Sequence, residues 1–306
     1  MGLSRYEFEF LSYIAEHNGC EYCLRNVSDT ICISGTTIDK CYKEALKQGY
    51  IVENPIDDIK VKVSLTEAGV KALEPYRVKR AVIMAAGFGS RMMPATANRP
   101  KPLVSVNGKK IIETLLDALL AVEIEDITIV RGYHKEKFDE LQEKYPMIRL
   151  IDNDLYDTTN NISSAMAAID YFKGGSYLCE ADLYITNPAI IKKYQYASNI
   201  LGSYSLETDD WSYRLKDGYI TDYKKGNTYC YNYYGISYWT PEDCEKLCND
   251  WKESFKTKEG QDVFWEQIPL QLNADKYQVE VRICNKSDIM EIDNYSELQM
   301  LDSSYL

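Results

Sequence analysis

Histidine is nearly absent from this chain: His17 and His134 are the only two in 306 residues. A histidine-based triad or a histidine zinc site is therefore not expected, and any proton transfer must use other groups. No apolar run approaches the length of a membrane span, and the first residues lack a signal-peptide pattern. Basic charge is in deficit as well. Lysine and arginine number 35 against 47 aspartates and glutamates, a formal charge of −12 that speaks against general affinity for nucleic acid or an anionic membrane. The nine cysteines stand at irregular spacings, which points to reduced thiols and a cytoplasmic location. Cys20-Glu21-Tyr22-Cys23 is a C-x-x-C with no second pair to complete a zinc site, and helix packing is its expected use.

What the chain does have is a loop suited to phosphate. The apolar, strand-like Ala81-Val82-Ile83-Met84 breaks into Ala85-Ala86-Gly87-Phe88-Gly89-Ser90-Arg91, and Arg99-Pro100-Lys101-Pro102-Leu103 follows. Glycines let a backbone turn tightly and approach a ligand. Exposed loop N–H groups can cradle phosphate, above all beside a helix N-terminus, and Arg91 and Lys101 add the positive charge a triphosphate needs. The loop is not a dinucleotide fingerprint, because Met92 stands at the third glycine. Nor is it a Walker loop, because Ser90-Arg91 follows Gly89. On spacing alone an ordinary strand-to-helix turn reads equally well. Taken with Arg91 and Pro100-Lys101-Pro102, the stretch resembles the nucleotidyltransferases that activate sugar phosphates and alcohol phosphates with NTPs. Their signature runs A-A-G-x-G-x-R, then P-K-x-L, then a V-x-G-K-P-like turn, here Val106-Asn107-Gly108-Lys109, and the resemblance covers about residues 79–300.

The length accommodates one medium domain and a small one, and the chain divides near residue 78. In residues 1–78, Tyr6, Phe8, Phe10, Leu11 and Ile14 fit a first amphipathic helix, Ser28 to Ile31 a short second one, and Ser34 or Thr36 caps a third that runs through Lys47 to Gly49. Tyr50-Ile51-Val52 and Lys60 to Leu65 alternate like a hairpin, with Pro55 and Asp57-Asp58 between them, and Thr66 begins a last helix. Three helices and a β-wing resemble a winged helix-turn-helix domain, with Gln48-Gly49-Tyr50-Ile51 and Leu65-Thr66-Glu67-Ala68-Gly69 as the similar pieces. Such domains place a recognition helix in the major groove, but phosphate contacts supply much of the affinity. Nine basic residues against twelve acidic ones in 1–78 favour protein contact or homodimerisation over DNA binding. Glu74 to Val78 reads as a linker, with Pro75 ending the helix.

Residues 79–306 alternate strand-like runs (Arg80 to Met84, Asp126 to Arg131, Ile148 to Asp152, Ser176 to Glu180) with helical spacing at Ile111 to Val122, Lys135 to Lys144 and Ser163 to Phe172. This predicts an α/β fold: a mainly parallel, Rossmann-like nucleotidyltransferase sheet flanked by helices. Ligands bind outside the carboxyl ends of such strands, so the Gly87 loop and Asp182 are expected to converge. A carboxylate at a strand end is a natural Mg²⁺ ligand, though on its own Asp182 could equally cap a turn. The resemblance implies that Asp182, in Glu180-Ala181-Asp182, and Asp293, in Met290-Glu291-Ile292-Asp293, hold Mg²⁺. It implies that Ala85, Ala86, Gly87, Phe88, Gly89 and Ser90 bind the nucleotide, together with Asn161 and Ser164 of an N-N-x-x-S element that could otherwise be simple capping. In that scheme Arg91 holds the β- and γ-phosphates and Lys101 stabilises charge on the α-phosphate. The acceptor phosphate is already ionised, so no general base is needed.

Aromatics and carboxylates crowd residues 204–266, a composition suited to a quaternary ammonium through cation–π attraction. Sugar-specific relatives carry an E-K-P lysine for the sugar phosphate, and Leu206-Glu207-Thr208-Asp209-Asp210-Trp211 has none. The late Asp262-Val263-Phe264-Trp265-Glu266 resembles the D-x-x-W-[DE] element of bacterial CTP:phosphocholine cytidylyltransferases, which implies Trp211, Asp262, Phe264, Trp265 and Glu266 as choline-binding residues. The expected substrates are therefore CTP and phosphocholine. The alternatives are transfer to another amino alcohol phosphate or a sugar 1-phosphate, or a transcriptional regulator that senses CTP or CDP-choline.

Overall fold

Ser4 starts the first helix: its hydroxyl accepts from the Glu7 N–H while the Glu7 carboxylate accepts from the Ser4 N–H at 2.8 Å, closing a reciprocal cap. That helix, α1 (Arg5–Glu16), buries Phe8, Phe10, Leu11 and Ile14 and leaves Tyr6 exposed. The computed structural model describes residues 2–57 and 60–306, so Asp58 of the expected turn lies outside the described residues. It divides into two compact units. One runs to Arg77 and takes in Tyr194–Tyr196; the other comprises Val78–Lys193 and Ala197–Leu306.

The first unit continues through β1 (Cys20–Glu21), α2 (Leu24–Ile31), α3 (Gly35–Lys47), β2 (Ile51–Pro55), β3 (Val61–Leu65) and α4 (Glu67–Leu73). The second helix begins four residues ahead of its expected start. Ser34 caps α3 and Thr66 caps α4 through their hydroxyls. The hairpin of β2 and β3 is antiparallel, and β1 adds to its β3 edge. Tyr196 completes this unit's core: it stacks on Tyr76 at 5.5 Å, tilts against Phe8 at 5.2 Å, and carries the Arg5 guanidinium 5.0 Å from its ring centre.

In the second unit come β4 (Arg80–Ala85), the short ribbon β5 (Ser105–Val106) and β6 (Lys109–Lys110), α5 (Ile111–Ala121), β7 (Asp126–Arg131), α6 (Asp139–Lys144), β8 (Arg149–Asp152), α7 (Ile162–Ala167), β9 (Ser176–Glu180) and β10 (Leu183–Ile185). The chain then forms the long β11 (Asn199–Lys216) and β12 (Tyr219–Trp239), α8 (Pro241–Ser254), α9 (Lys258–Gln261), β13 (Glu280–Ile283), β14 (Ile289–Glu291) and α10 (Tyr295–Leu301). Seven strands make one sheet in the order β11-β13-β12-β9-β4-β7-β8. The pairings of β4 with β7, β4 with β9, β7 with β8 and β11 with β13 are parallel, as the alternation of strands and helices predicts.

Side-chain alternation along β4 builds a core on each face. Ala81, Ile83 and Ala85 pack with Ile112, Leu115, Leu116 and Leu119 of α5. Val82 and Met84 face the other side, with Trp239, Trp251 and Trp265. Helices thus cover both faces. The carboxyl ends of β4 and β9 lie side by side, because Met84 pairs with Glu180. A second ribbon closes this end: β10 pairs antiparallel with β14, Leu183 opposite Glu291, which brings Asp182 beside the Glu291–Asp293 segment.

Candidate active site

A cleft of about 570 Å³ opens at those strand ends, within the second unit. Its first wall is the loop after β4. Gly89 has φ +61°, and a Cβ there would lie 2.7 Å from the Lys101 Cβ, so glycine is required both by backbone conformation and by the close approach of Lys101. The loop runs into a single 3₁₀ turn, Ser90–Met92, and not into an α-helix. A phosphate here would therefore meet loop N–H groups and side chains without a helix dipole. Ala85, Ala86, Gly87, Phe88, Gly89, Ser90 and Arg91 all line the cleft.

Lys101 opens the 3₁₀ turn Lys101–Leu103 between its two prolines and is 7% exposed. Its Nζ donates to Asp182 Oδ2 at 2.9 Å and to Asp293 Oδ1 at 3.1 Å. Burial works against the ammonium, but Asp182, Asp293 and Glu291 outweigh it and raise its pKa, so it stays charged. Arg91, largely exposed, reaches the same Asp293 Oδ1 at 3.0 Å. One carboxylate oxygen from each of Asp182, Glu291 and Asp293 lies within 4.8 Å of the others. Asp182 Oδ1 is buried and accepts no hydrogen bond. An all-oxygen donor set with an unused buried lone pair suits a hard divalent cation such as Mg²⁺. Glu291 was not among the expected ligands. Its place at the end of β14, two residues before Asp293, is the sequence signal that could have pointed to it.

Asn161 and Ser164 also line the cleft, from the start of α7. Their side chains are tied into the protein: Asn161 Oδ1 accepts from the Trp265 N–H at 2.8 Å, and Ser164 Oγ from Asn153 Nδ2 at 3.0 Å.

At the opposite end stand Trp211, Phe264 and Glu266, as expected, with Glu180, Asp210, Lys225 and Tyr233, which were not expected as site residues. Tyr223 covers one face of Trp211, stacked at 4.9 Å, and the Phe264 ring meets Trp211 edge-on at 5.9 Å and 70°. The two rings make a corner. Glu266 is 3% exposed; Oε1 accepts from the Tyr223 hydroxyl at 3.3 Å and Oε2 has no partner. Burial pushes its carboxyl up to about 7. Desolvation, then repulsion from Glu266, Asp182 and Glu291, raises Glu180 well above the ordinary range. Glu180 owes its place to Gly235 on β12, where any Cβ would sit 2.3 Å from Glu180 Oε2.

Two expected acceptor residues lie elsewhere. Asp262 is exposed, ends α9, and pairs with Lys258 at 3.3 Å. Trp265 is fully buried and packs edge-on against Trp239 and Trp251 at 6.1 Å, a core residue whose neighbours Phe264 and Glu266 alone reach the cleft. Its aromatic character gave no sign of this, because core and ligand-facing tryptophans look alike in sequence.

Comparison with known proteins agrees with this fold. The model of the MobA-like NTP transferase domain matches residues 81–198. A 2-aminoethylphosphonate cytidylyltransferase of Lancefieldella rimae is 36% identical over 229 residues, 74% of this chain and 93% of that protein. A choline-phosphate cytidylyltransferase of Streptococcus pneumoniae is 32% identical over 229 residues, 73% of this chain and 96% of that one. The solved CTP:phosphocholine cytidylyltransferase from Streptococcus pneumoniae superposes with a TM-score of 0.69 at 31% identity, over 75% of this chain and 100% of its own. With its phosphate loop, its lysine among carboxylates and these relatives, the chain belongs to the cytidylyltransferase family, built on a MobA-like NTP transferase domain.

Proposed function

We propose that this protein transfers CMP from CTP to phosphocholine, giving CDP-choline and pyrophosphate. One observation carries the reading. A single cleft joins the phosphate loop, Lys101 and the carboxylate trio to an aromatic corner flanked by Glu266 and Asp210. The first end suits a nucleoside triphosphate; the second suits a cation that cannot donate hydrogen bonds.

In this scheme an acceptor phosphate oxygen attacks the α-phosphorus in line, the bond to the bridging oxygen breaks, and pyrophosphate leaves with the electron pair. Little covalent work falls to the protein; positioning and charge neutralisation dominate. Loop N–H groups from Ala86 to Ser90 receive the nucleotide. Arg91, largely exposed, turns from Asp293 to the β- and γ-phosphate oxygens. Lys101 steadies charge on the α-phosphate. Asp182, Asp293 and Glu291 would hold Mg²⁺, which when bound adds Lewis-acid neutralisation of the phosphate oxygens. The Lys101 ammonium, held at the cleft by Asp182 and Asp293, lies on the side of the phosphate loop where the nucleotide binds.

A second reading has its own observation. Glu266 Oε2 is buried without a partner, and a primary ammonium would satisfy it where trimethylammonium would not. 2-Aminoethylphosphonate is an acceptor of that kind. The test is pyrophosphate release with each NTP, Mg²⁺ and a panel of phosphocholine, phosphoethanolamine, 2-aminoethylphosphonate and glucose 1-phosphate. CTP with phosphocholine should give the highest kcat/KM. Preference for a primary amine selects the second reading, and equal use of glucose 1-phosphate removes both.

A further inference from the structure

Among the described residues three basic side chains line the cleft: Arg91, Lys101 and Lys225. Two are committed to carboxylates, Lys101 to Asp182 and Asp293 and Arg91 to Asp293. Lys225 has neither an ion pair nor a side-chain hydrogen bond, and it stands at the acceptor end beside Asp210, Trp211 and Tyr233. Asp182, Asp210 and Asp293 line the same cleft, so an acceptor bearing a doubly charged phosphoryl group would be repelled unless a cation met it there.

The backbone aims Lys225 inward. Strands β11 and β12 pair Thr208 with Asn227 and next Trp211 with Lys225, so two residues of β11 oppose one of β12. Such a bulge turns a strand and re-aims its side chains. The single residue opposite is Gly226 at φ +74°, a conformation that glycine adopts without strain. Directly opposed residues share a face, which puts Lys225 on the side of Trp211. Its neighbour Lys224 points the other way and pairs with Asp222 at 3.0 Å. Of two adjacent lysines, one is an ordinary surface ion pair and the other is held free at the site.

We infer that Lys225 is the acceptor-phosphoryl clamp: its ammonium binds the non-attacking oxygens of the phosphate or phosphonate while the cationic end of the same molecule lies against Trp211 and Glu266. This rests on the proposed cytidylyl transfer. Lys225 exchanges no proton; it lowers the repulsion between acceptor and triphosphate and fixes the attacking oxygen. It also supplies the positive charge that β11, in Leu206 to Trp211, lacks.

The experiment measures initial rates for the wild type, Lys225→Met and Lys225→Arg, with phosphocholine and with 2-aminoethylphosphonate, alongside inhibition by choline, which has no phosphoryl group. Lys225→Met should raise the acceptor KM by about tenfold or more, the scale of one charge-assisted contact, with the CTP KM and the choline inhibition constant unchanged. Lys225→Arg should restore most of the loss. An acceptor KM within about twofold of wild type in Lys225→Met, or an equal rise in the CTP KM, overturns the assignment and leaves cytidylyl transfer standing. A wild type that uses neither acceptor overturns both.

Discussion

Lys101 is the residue on which the site's electrostatics turn. It is buried, charged, and shared between Asp182 and Asp293, so its removal leaves the carboxylate trio with only the exposed Arg91 guanidinium as counter-charge. Lys101→Ala and Asp182→Ala are each expected to lower turnover at saturating CTP by about a hundredfold or more, the cost of one preorganised transition-state contact. Near-wild-type turnover in either variant would refute the mechanism. Lys101→Ala should also gain more thermal stability from added Mg²⁺ than the wild type does, because the freed acids bind the ion; thermal midpoints with and without Mg²⁺ check this. Glu266 gives a pH signature. Burial holds its carboxyl near 7 against an ordinary 4.5, so the folded protein keeps a proton that the unfolded chain has released between those values. Free-enzyme stability therefore falls as pH rises through that window, while the anion that attracts the acceptor's cation forms near its top. The acceptor KM should drop as pH climbs through about 7. Glu266→Gln should flatten that drop and remove the stability loss; parallel profiles for the two proteins would exclude Glu266 from acceptor binding.

Among the elements, the β11–β12 hairpin carries the acceptor end of the proposed scheme. Trp211 offers a ring face beside Phe264, and Trp211→Ala is expected to raise the phosphocholine KM by about fivefold to thirtyfold, or roughly 1–2 kcal/mol, with a much smaller change for CTP. Gly235→Ala tests the hairpin from its other strand. A Cβ 2.3 Å from Glu180 Oε2 must displace that side chain, so acceptor affinity should fall although position 235 does not line the cleft. An unchanged acceptor KM in a folded Gly235→Ala protein would remove Glu180 from the site. This hairpin is also where sequence was least legible. Runs such as Asp126–Arg131 and Ser176–Glu180 stand out as strands because parallel strands covered on both faces are continuously apolar. Residues 199–239 mix tyrosines, lysines and acids, and the bulge between Thr208 and Trp211 breaks the period of two. Lys225, Asp210 and Tyr233 were hidden for that reason. That the Gly87 loop, Lys101, Asp182 and Asp293 would share one cleft was legible, because the loop and Asp182 follow apolar strands and Lys101 stands in a short proline-flanked motif. Helix ends were read less well: α7 stops at Ala167, well before the expected Phe172, and Lys135 to Lys144 begins as a 3₁₀ turn.

At the scale of the molecule, the chain's two units are not two consecutive pieces of sequence. Every cleft residue belongs to the second unit, yet Tyr194–Tyr196, which lead into β11, belong to the first. Tyr196 has Phe8, Tyr76 and Arg5 as its partners. A chain starting near Lys79 therefore keeps all the proposed chemistry and loses the surroundings of this segment. Its kcat/KM for CTP and acceptor should stay within about threefold of the full chain, since a unit with its own core folds independently. Its bared tyrosines should instead promote self-association, seen as increased light scattering on concentration, and Tyr194→Ser with Tyr196→Ser should suppress that. Residues 1–78 alone are expected to be less stable than in the whole chain, by about 0.5–1.5 kcal/mol for each aromatic pair that Tyr196 no longer makes. A truncated protein that is folded by circular dichroism yet inactive would mean that the first unit contributes to the reaction, and that the boundary at residue 78 separates what the chemistry needs together.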